Sequence, residues 1–252
     1  MLAARKLARR SEREARRAAL VDSPLALEEA IASGARVLDL FVSDEFDGRS
    51  HFLALAAEHH VVPVSVPGRV LGALADTSTP QGVVAVVETP AVSLEEALEG
   101  SSLVLVMLGV SDPGNAGTLV RSAVAAGADA VVFARGAVDP FHPKTLRASG
   151  GSLWRIPIAT AVDVSRCIQV LEESDLAMIG ADARAATALW EADLRRPLAL
   201  VLGSESRGLS AEIASHVSET YSIPMPGPAE SLNIAVAGSI FLFECARQRR
   251  GR

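Results

Sequence analysis

The sequence predicts an α/β protein of two layered units, and three observations carry that prediction. Short apolar runs alternate with stretches of helical length, the pattern of helices packed on sheets. Two of the runs, Leu103–Val110 and Leu198–Leu202, are almost wholly apolar. A strand apolar on both faces belongs in a parallel sheet covered on both sides. These two runs, and a third ending at Ile223, each lead into a polar loop bracketed by glycine or proline, and open α/β sheets bind ligands at such strand ends. A chain of 252 residues, 49% hydrophobic and 21% charged, can bury two modest cores.

Residues 1–18 read as one helix with a basic face, because Arg5, Lys6, Arg9, Arg10, Arg13, Arg16 and Arg17 face only Glu12 and Glu14. A solvated helix and an RNA-phosphate contact explain it equally well. The net charge of −6 argues weakly against nucleic acid as an average, but the cations are gathered here and at Arg247, Arg249, Arg250 and Arg252. Next, Pro24–Ser33 is a helix with Asp22 or Ser23 as its cap and Pro24 at its first position. Strand Val37–Val42, helix Ser50–His60, strand Val61–Val66, helix Pro67–Leu74 and strand Gly82–Val87 follow. Residues 1–90 thus form a first domain. The acidic, turn-forming residues 91–101 are expected as a linker, and residues 102–252 form a second domain.

In that second domain the expected order is strand Leu103–Val110, helix Gly117–Ala126, strand Ala130–Ala134, helix Val164–Glu173 and strand Ala177–Ala181. Strand Leu198–Leu202, helix Ser210–Ser215 and strand Glu219–Ile223 follow, before a long last helix opened by Ser231. That helix is apolar almost all round from Leu232 to Glu244, so it is expected to be buried on every side. Cys167 and Cys245 have apolar neighbours and no partner motif, as reduced core cysteines of a cytoplasmic protein do. No apolar run reaches the roughly 20 residues of a membrane span. The arginine-rich N-terminus lacks the apolar core of a secretory signal; its Arg and Ala content resembles a transit peptide, but a basic surface helix is preferred. No metal site is expected.

The chemistry concentrates in three loops. In Asp112-Pro113-Gly114-Asn115-Ala116-Gly117-Thr118-Leu119-Val120-Arg121, Asn115 falls in the loop and Arg121 about one turn into the helix that leaves it. Alone they could be a helix cap and a surface ion-pair residue; on this turn they read as a site. The second loop, Gly203-Ser204-Glu205-Ser206-Arg207-Gly208-Leu209, places Glu205 at the carboxyl edge of the sheet. It lacks both the Lys-Ser/Thr of a P-loop and the spacing of a dinucleotide fingerprint. The third, Ser222 to Asn233, contains Pro224, Pro226 and Pro228, which remove three backbone donors. Irregular backbone held that firmly is usual at a site.

Together the three stretches resemble motifs 1, 2 and 3 of the SpoU (TrmH-like) family of RNA ribose 2′-O-methyltransferases, within the SPOUT superfamily. The residues that carry the resemblance are Pro113, Asn115, Gly117, Arg121 and Ala123; Gly203, Glu205, Gly208 and Leu209; and Ile223, Pro224, Met225, Gly227, Ser231, Leu232 and Asn233. Asp139–Lys144 and Arg147–Gly150 also resemble the family, and Thr79-Pro80-Gln81-Gly82 is similar to the close of its small L30e-like RNA-binding domain. Where members usually carry glycine, this chain has Ser206, which implies a stiffer loop. The resemblance implies a C-terminal domain with a parallel sheet and a deep trefoil knot, an obligate homodimer, and S-adenosylmethionine as cofactor. It implies that Leu202, Gly203, Ile223, Met225, Gly227 and Leu232 hold the cofactor, and that Arg121, Asn115, Glu205, Ser231 and Asn233 are catalytic. Arg121 would anchor the phosphate beside the 2′-hydroxyl, donated across the dimer. A structured RNA is the implied substrate, with ribosomal RNA ranked ahead of tRNA. A base methyltransferase, a catalytically silent RNA-binding protein and a nucleotide-binding α/β protein are the alternatives.

Overall fold

A computed structural model of the chain describes residues 1–75 and 79–250; Arg252 lies outside the described residues. Along the chain, α1 (Leu2–Lys6), α2 (Arg10–Arg16) and β1 (Ala18–Val21) precede α3 (Pro24–Ala32), β2 (Val37–Ser43) and α4 (Arg49–Glu58). Next come β3 (Pro63–Val66), α5 (Gly68–Ala75), β4 (Val83–Glu88), β5 (Ala91–Val92), α6 (Leu94–Leu98), β6 (Leu103–Met107), α7 (Pro113–Ala126) and β7 (Ala130–Ala134). Then follow α8 (Pro143–Ser149), β8 (Ile158–Val162), α9 (Val164–Glu172), β9 (Ala177–Ala181), β10 (Leu198–Leu202), α10 (Ala211–Ala214), β11 (Glu219–Tyr221) and α11 (Ile234–Arg249). These elements form two compact units: Met1–Pro90 with Phe141–Arg155, and Ala91–Pro140 with the chain from Ile156 onward.

In the first unit the strands run in the order β1-β4-β2-β3. β4 is antiparallel to both β1 and β2, and β3 is parallel to β2. Ala4 of α1, Leu7 just after it, and Leu71 and Leu74 of α5 pack with Phe41, Val84 and Val86 of the sheet. The single basic helix expected over residues 1–18 is instead two short helices and a strand. The break is stabilised from within: Arg13 is buried, and its Nη1 donates to the carbonyls of Leu7 at 2.6 Å and Ala8 at 2.9 Å. Both carbonyls lie in the turn just past the end of α1, where no helical N–H follows to pair with them. Arg16 likewise donates to Ala3 O at 2.8 Å, so two of the seven cations serve the fold. Ser23 is the cap of α3, accepting from Ala26 N, with Pro24 at the first position.

Residues 141–155 belong to this unit although they come from the middle of the chain. Trp154 Nε1 donates to Glu88 O at 3.0 Å, Arg147 pairs with the buried Asp22, and Arg155 pairs with Glu29. Burial pushes the Asp22 carboxyl above its usual range despite the guanidinium beside it. The expectation of a first domain confined to 1–90 is corrected by this segment.

In the second unit the strand order is β11-β9-β10-β6-β7-β8-β5, with every pairing parallel. The central strands β6 and β10 are buried along their whole length, as their composition requires. Residues 91–101 are not a linker. Val92 of β5 pairs with Ala159 of β8, Ser93 and Glu96 form a capping box on α6, and Leu94 and Ala97 enter the core. The acidic composition that resembled a linker is the outer face of one amphipathic turn. The last helix begins at Ile234, not Ser231, and is not buried all round: Val236 and Phe243 are each 49% exposed.

Candidate active site

From β6 the chain turns through α7 to β7 and β8, whereas β10 has β9 and β11 on its other side. The carboxyl ends of β6 and β10 therefore meet where the connections diverge, the crevice in which open α/β sheets place ligands. The strands are adjacent enough there that Leu108 N donates to Leu202 O at 2.9 Å.

The loop after β10 is a closed turn. Ser204 and Gly208 exchange backbone hydrogen bonds of 2.9 Å each way, with Gly208 at φ +63°. Gly203 must be glycine, because a Cβ there would stand 2.0 Å from Gly208 O. Ser206 is not among the left-handed residues, so the serine fits this turn without backbone strain. The turn aims the Glu205 carboxylate at the loop after β6. There it accepts from Ser111 N at 3.1 Å, Ser111 Oγ at 3.0 Å, Asp112 N at 3.0 Å and Asn115 Nδ2 at 3.4 Å. Burial alone would raise the Glu205 pKa, but the N–H groups of Asp112, Glu205 and Ser111 and the Ser111 hydroxyl outweigh it and hold the carboxyl below its ordinary 4.5.

Asp112 caps α7 by accepting from Asn115 N at 2.9 Å, with Pro113 first in the helix. That cap holds Asn115 between the other two loops. A carboxylate only accepts, so the Asn115 amide turns its Nδ2 to Glu205 and leaves Oδ1 to accept from Asn233 Nδ2 at 3.0 Å. Asn233 in turn caps α11, its Oδ1 accepting from Ala235 N at 2.8 Å and Val236 N at 3.3 Å. Glu205, Asn115 and Asn233 thus form one hydrogen-bonded relay through all three loops. Ser111 and Asp112 complete it and were not singled out as site residues; the Ser-Asp-Pro run opening a helix was the available signal.

The other expected site residues stand apart from the relay. Arg121 is exposed and makes no hydrogen bond or ion pair among the described residues. It lies six residues past Asn115 on α7, about 9 Å along the helix and on a different face. Ser231 is exposed, two residues ahead of the α11 cap. Leu202 and Gly203 are buried at the end of β10, while Ile223 and Met225 are half-buried and Gly227 and Leu232 exposed. Ser222 anchors the third loop by accepting from Leu189 N at 2.8 Å and donating to Thr187 O at 3.0 Å. From Ile223 to Leu232 no backbone hydrogen bond forms among the described residues. The loop therefore offers free N–H and C=O groups between partly covered apolar side chains. That donor set fits an adenosyl group, whose base has polar edges and apolar faces.

Comparison with known proteins matches two families to successive parts of the chain. The SpoU rRNA Methylase family matches residues 102–243, and the MRM3-like substrate binding domain matches residues 3–85. The chain is 39% identical over 158 residues to a 23S rRNA (guanosine-2′-O-)-methyltransferase RlmB of Xanthomonas campestris, covering 63% of this chain and 64% of that protein. The RlmB of Bordetella pertussis is 36% identical over 186 residues, 72% of this chain and 76% of that one. Among solved structures, the SpoU methyltransferase AviRb of Streptomyces viridochromogenes in complex with AdoMet superposes with a TM-score of 0.86 at 28% identity, covering 98% of this chain and 97% of that one. The AdoMet-bound rRNA methyltransferase of Sinorhizobium meliloti gives 0.85 at 27% identity, covering 98% and 93%.

Proposed function

Because the chain belongs to the SpoU rRNA methylase family, we propose that it methylates a ribose 2′-hydroxyl of structured RNA, with S-adenosylmethionine as donor and 23S ribosomal RNA as substrate. The observation that carries this reading is the Glu205–Asn115–Asn233 relay at the sheet's switch point. S-adenosylmethionine supplies a methyl group activated on a positively charged sulfur. The free backbone groups of Ile223, Met225, Gly227 and Leu232, with Leu202 and Gly203 at the end of β10, would hold it. Asn115 and Asn233 are fixed by Glu205 and by the two helix caps, so they orient the ribose without reorganising, and such positioning is a large part of a transfer rate. Ser231 adds a hydroxyl on the approach to Asn233.

Arg121 is always charged. Its role is to anchor the phosphate next to the target and stabilise the negative charge that develops on the 2′-oxygen. Its distance from the relay on α7 supports donation from a second copy of the chain. The dimer has a surface to use: Val236, Ile240 and Phe243 form a partly exposed apolar stripe along α11, with Leu232 exposed just ahead of the helix, the kind of patch that marks an interface. The trefoil knot belongs to the same proposal, supported by the likeness to solved family members. Among the described residues no helix is long and apolar enough to cross a membrane, and a cytoplasmic site of action completes the reading. Mapping 2′-O-methyl positions in total RNA with and without the protein, alongside calorimetry with S-adenosylmethionine, tests it. A new methyl in 23S RNA and saturable cofactor binding are expected; no cofactor binding would sink it.

A further inference from the structure

The first unit has a cleft of about 420 Å³ where β2 ends, between the start of α5 and the approach to β4. A cleft this size is in the range of small-molecule sites and is ample for one planar base. Phe46 forms a wall whose position is fixed on three sides. Its ring lies 6.0 Å, centroid to centroid, from the buried Phe52. A Cβ on Gly48 would stand 2.6 Å from that ring and one on Gly82 2.2 Å from it, and Gly82 is also at φ +86°. The loop behind the ring is braced as well, because Arg49 donates to Asp44 at 2.6 Å and to Ser65 at 2.7 Å. This much bracing around an aromatic ring at a cleft mouth suits stacking on a flat ligand.

Ser43 Oγ in the cleft lining accepts from Glu45 N at 3.2 Å, but two other polar groups of the lining are unspent. Glu45 Oε2 lies 4.0 Å from where a Cβ on Gly68 would stand, so the carboxylate faces the first turn of α5. Neither that carboxylate nor the Gln81 amide has a hydrogen-bond partner among the described residues, and Arg69, next to Gly68, has no ion pair among them. We propose that the cleft takes one unpaired guanine of the RNA substrate, stacked on Phe46 with its Watson–Crick edge on Glu45. A carboxylate only accepts. Guanine alone among the four bases presents two adjacent donors on that edge, N1–H and the 2-amino group. Adenine, cytosine and uracil each present one donor beside an acceptor, which a carboxylate repels. Arg69 supplies a cation for the attached phosphate. This inference rests on the RNA-methyltransferase reading and adds a base-specific contact remote in sequence from the methyl-transfer loops.

The test titrates the full chain with GMP, IMP, AMP, CMP and UMP, following the Leu71 methyl resonances, and measures RNA affinity in parallel. GMP should bind best and IMP, which lacks the 2-amino group, roughly tenfold more weakly. Glu45→Gln should abolish that difference, and Phe46→Leu should weaken all five nucleotides together. Glu45→Gln should also weaken RNA binding, while its urea unfolding midpoint and its S-adenosylmethionine affinity stay at the wild-type values and certify the fold of both units. A wild-type chain that transfers methyl to RNA yet shows no GMP preference overturns the cleft proposal alone. GMP binding lost in Glu45→Gln with RNA affinity unchanged also overturns it, since the cleft would then serve a free nucleotide. Absence of cofactor binding in the wild type overturns the RNA-methyltransferase reading instead.

Discussion

Asn233 does two jobs at once, and substitutions can separate them. Its Oδ1 caps α11 through Ala235 and Val236, and its Nδ2 holds Asn115. Asn233→Ala removes both. Loss of an N-cap costs about 1 kcal/mol. Loss of a hydrogen bond between partly exposed amides costs about 0.5–1 kcal/mol, because water can reach the Asn115 oxygen left behind. The expected destabilisation is therefore roughly 1.5–2 kcal/mol. Asn233→Ser keeps a capping oxygen but cannot reach Asn115, and should lose at most about half of that. Asn233→Asp keeps the cap and adds favourable charge at the helix N-terminus. It also replaces the donor facing Asn115 with an acceptor, so the Asn115 amide must rotate and give up Glu205. This variant should match wild-type stability within about 0.5 kcal/mol while methyl transfer falls sharply. Urea unfolding at fixed protein concentration, followed by circular dichroism, reads the first effect, and radiolabelled methyl incorporation reads the second. Equal destabilisation by Ala and Ser would refute the capping argument. Full transfer activity in Asn233→Asp would refute the relay.

Four further expectations follow from the same geometry. Arg121→Ala should reduce transfer strongly without weakening S-adenosylmethionine binding, and mixing it with Asn233→Ala protomers should restore part of the rate; no recovery in the mixed dimer counts against donation between copies. Gly203→Ala places a Cβ 2.0 Å from Gly208 O, so the turn must open at a cost of about 3 kcal/mol, readable as a lowered urea midpoint. Because the folded pKa of Glu205 lies below its ordinary 4.5, its stabilisation is present above that value and is lost as pH falls through the folded pKa; wild type should lose more stability than Glu205→Gln between about pH 5 and pH 3. Burial pushes the Cys167 thiol up to about 12 and the Cys245 thiol up to about 11, so neither should react with a thiol reagent at pH 8 until the protein unfolds.

What could be read from the sequence tracks how local the physics is. β6 and β10 were legible because burial on both faces leaves no polar positions, and the three loops were legible because they follow buried strands. β1 was missed because Ala18–Val21 continues an alanine-rich helical segment, and only pairing with β4 makes it a strand. β8 was missed because Ala161 sits at φ +57° and the register with β7 shifts, so no simple alternation marks it. The all-round apolar character of α11 was legible as composition, but composition does not say what covers each face: within the single chain Val236 and Phe243 remain exposed. In the site, the residue types were legible but not the relay, which depends on contacts such as Glu205 with Ser111, 94 positions apart.

The return of residues 141–155 to the first unit has a consequence for how the protein is made. The four strands of that unit are complete once Glu88 has been synthesised. Trp154, Arg147 and Arg155 reach their partners only after residues 91–140 have been added. At ribosomal speeds of roughly 5–20 residues per second that interval lasts a few seconds. During it Asp22 waits without its arginine and Glu88 without the indole. A fragment ending at Pro90 would be arrested at that stage, whereas one carrying residues 141–155 on a short tether could close. The order of synthesis thus leaves the first unit unfinished until the first strands of the second unit's sheet already exist.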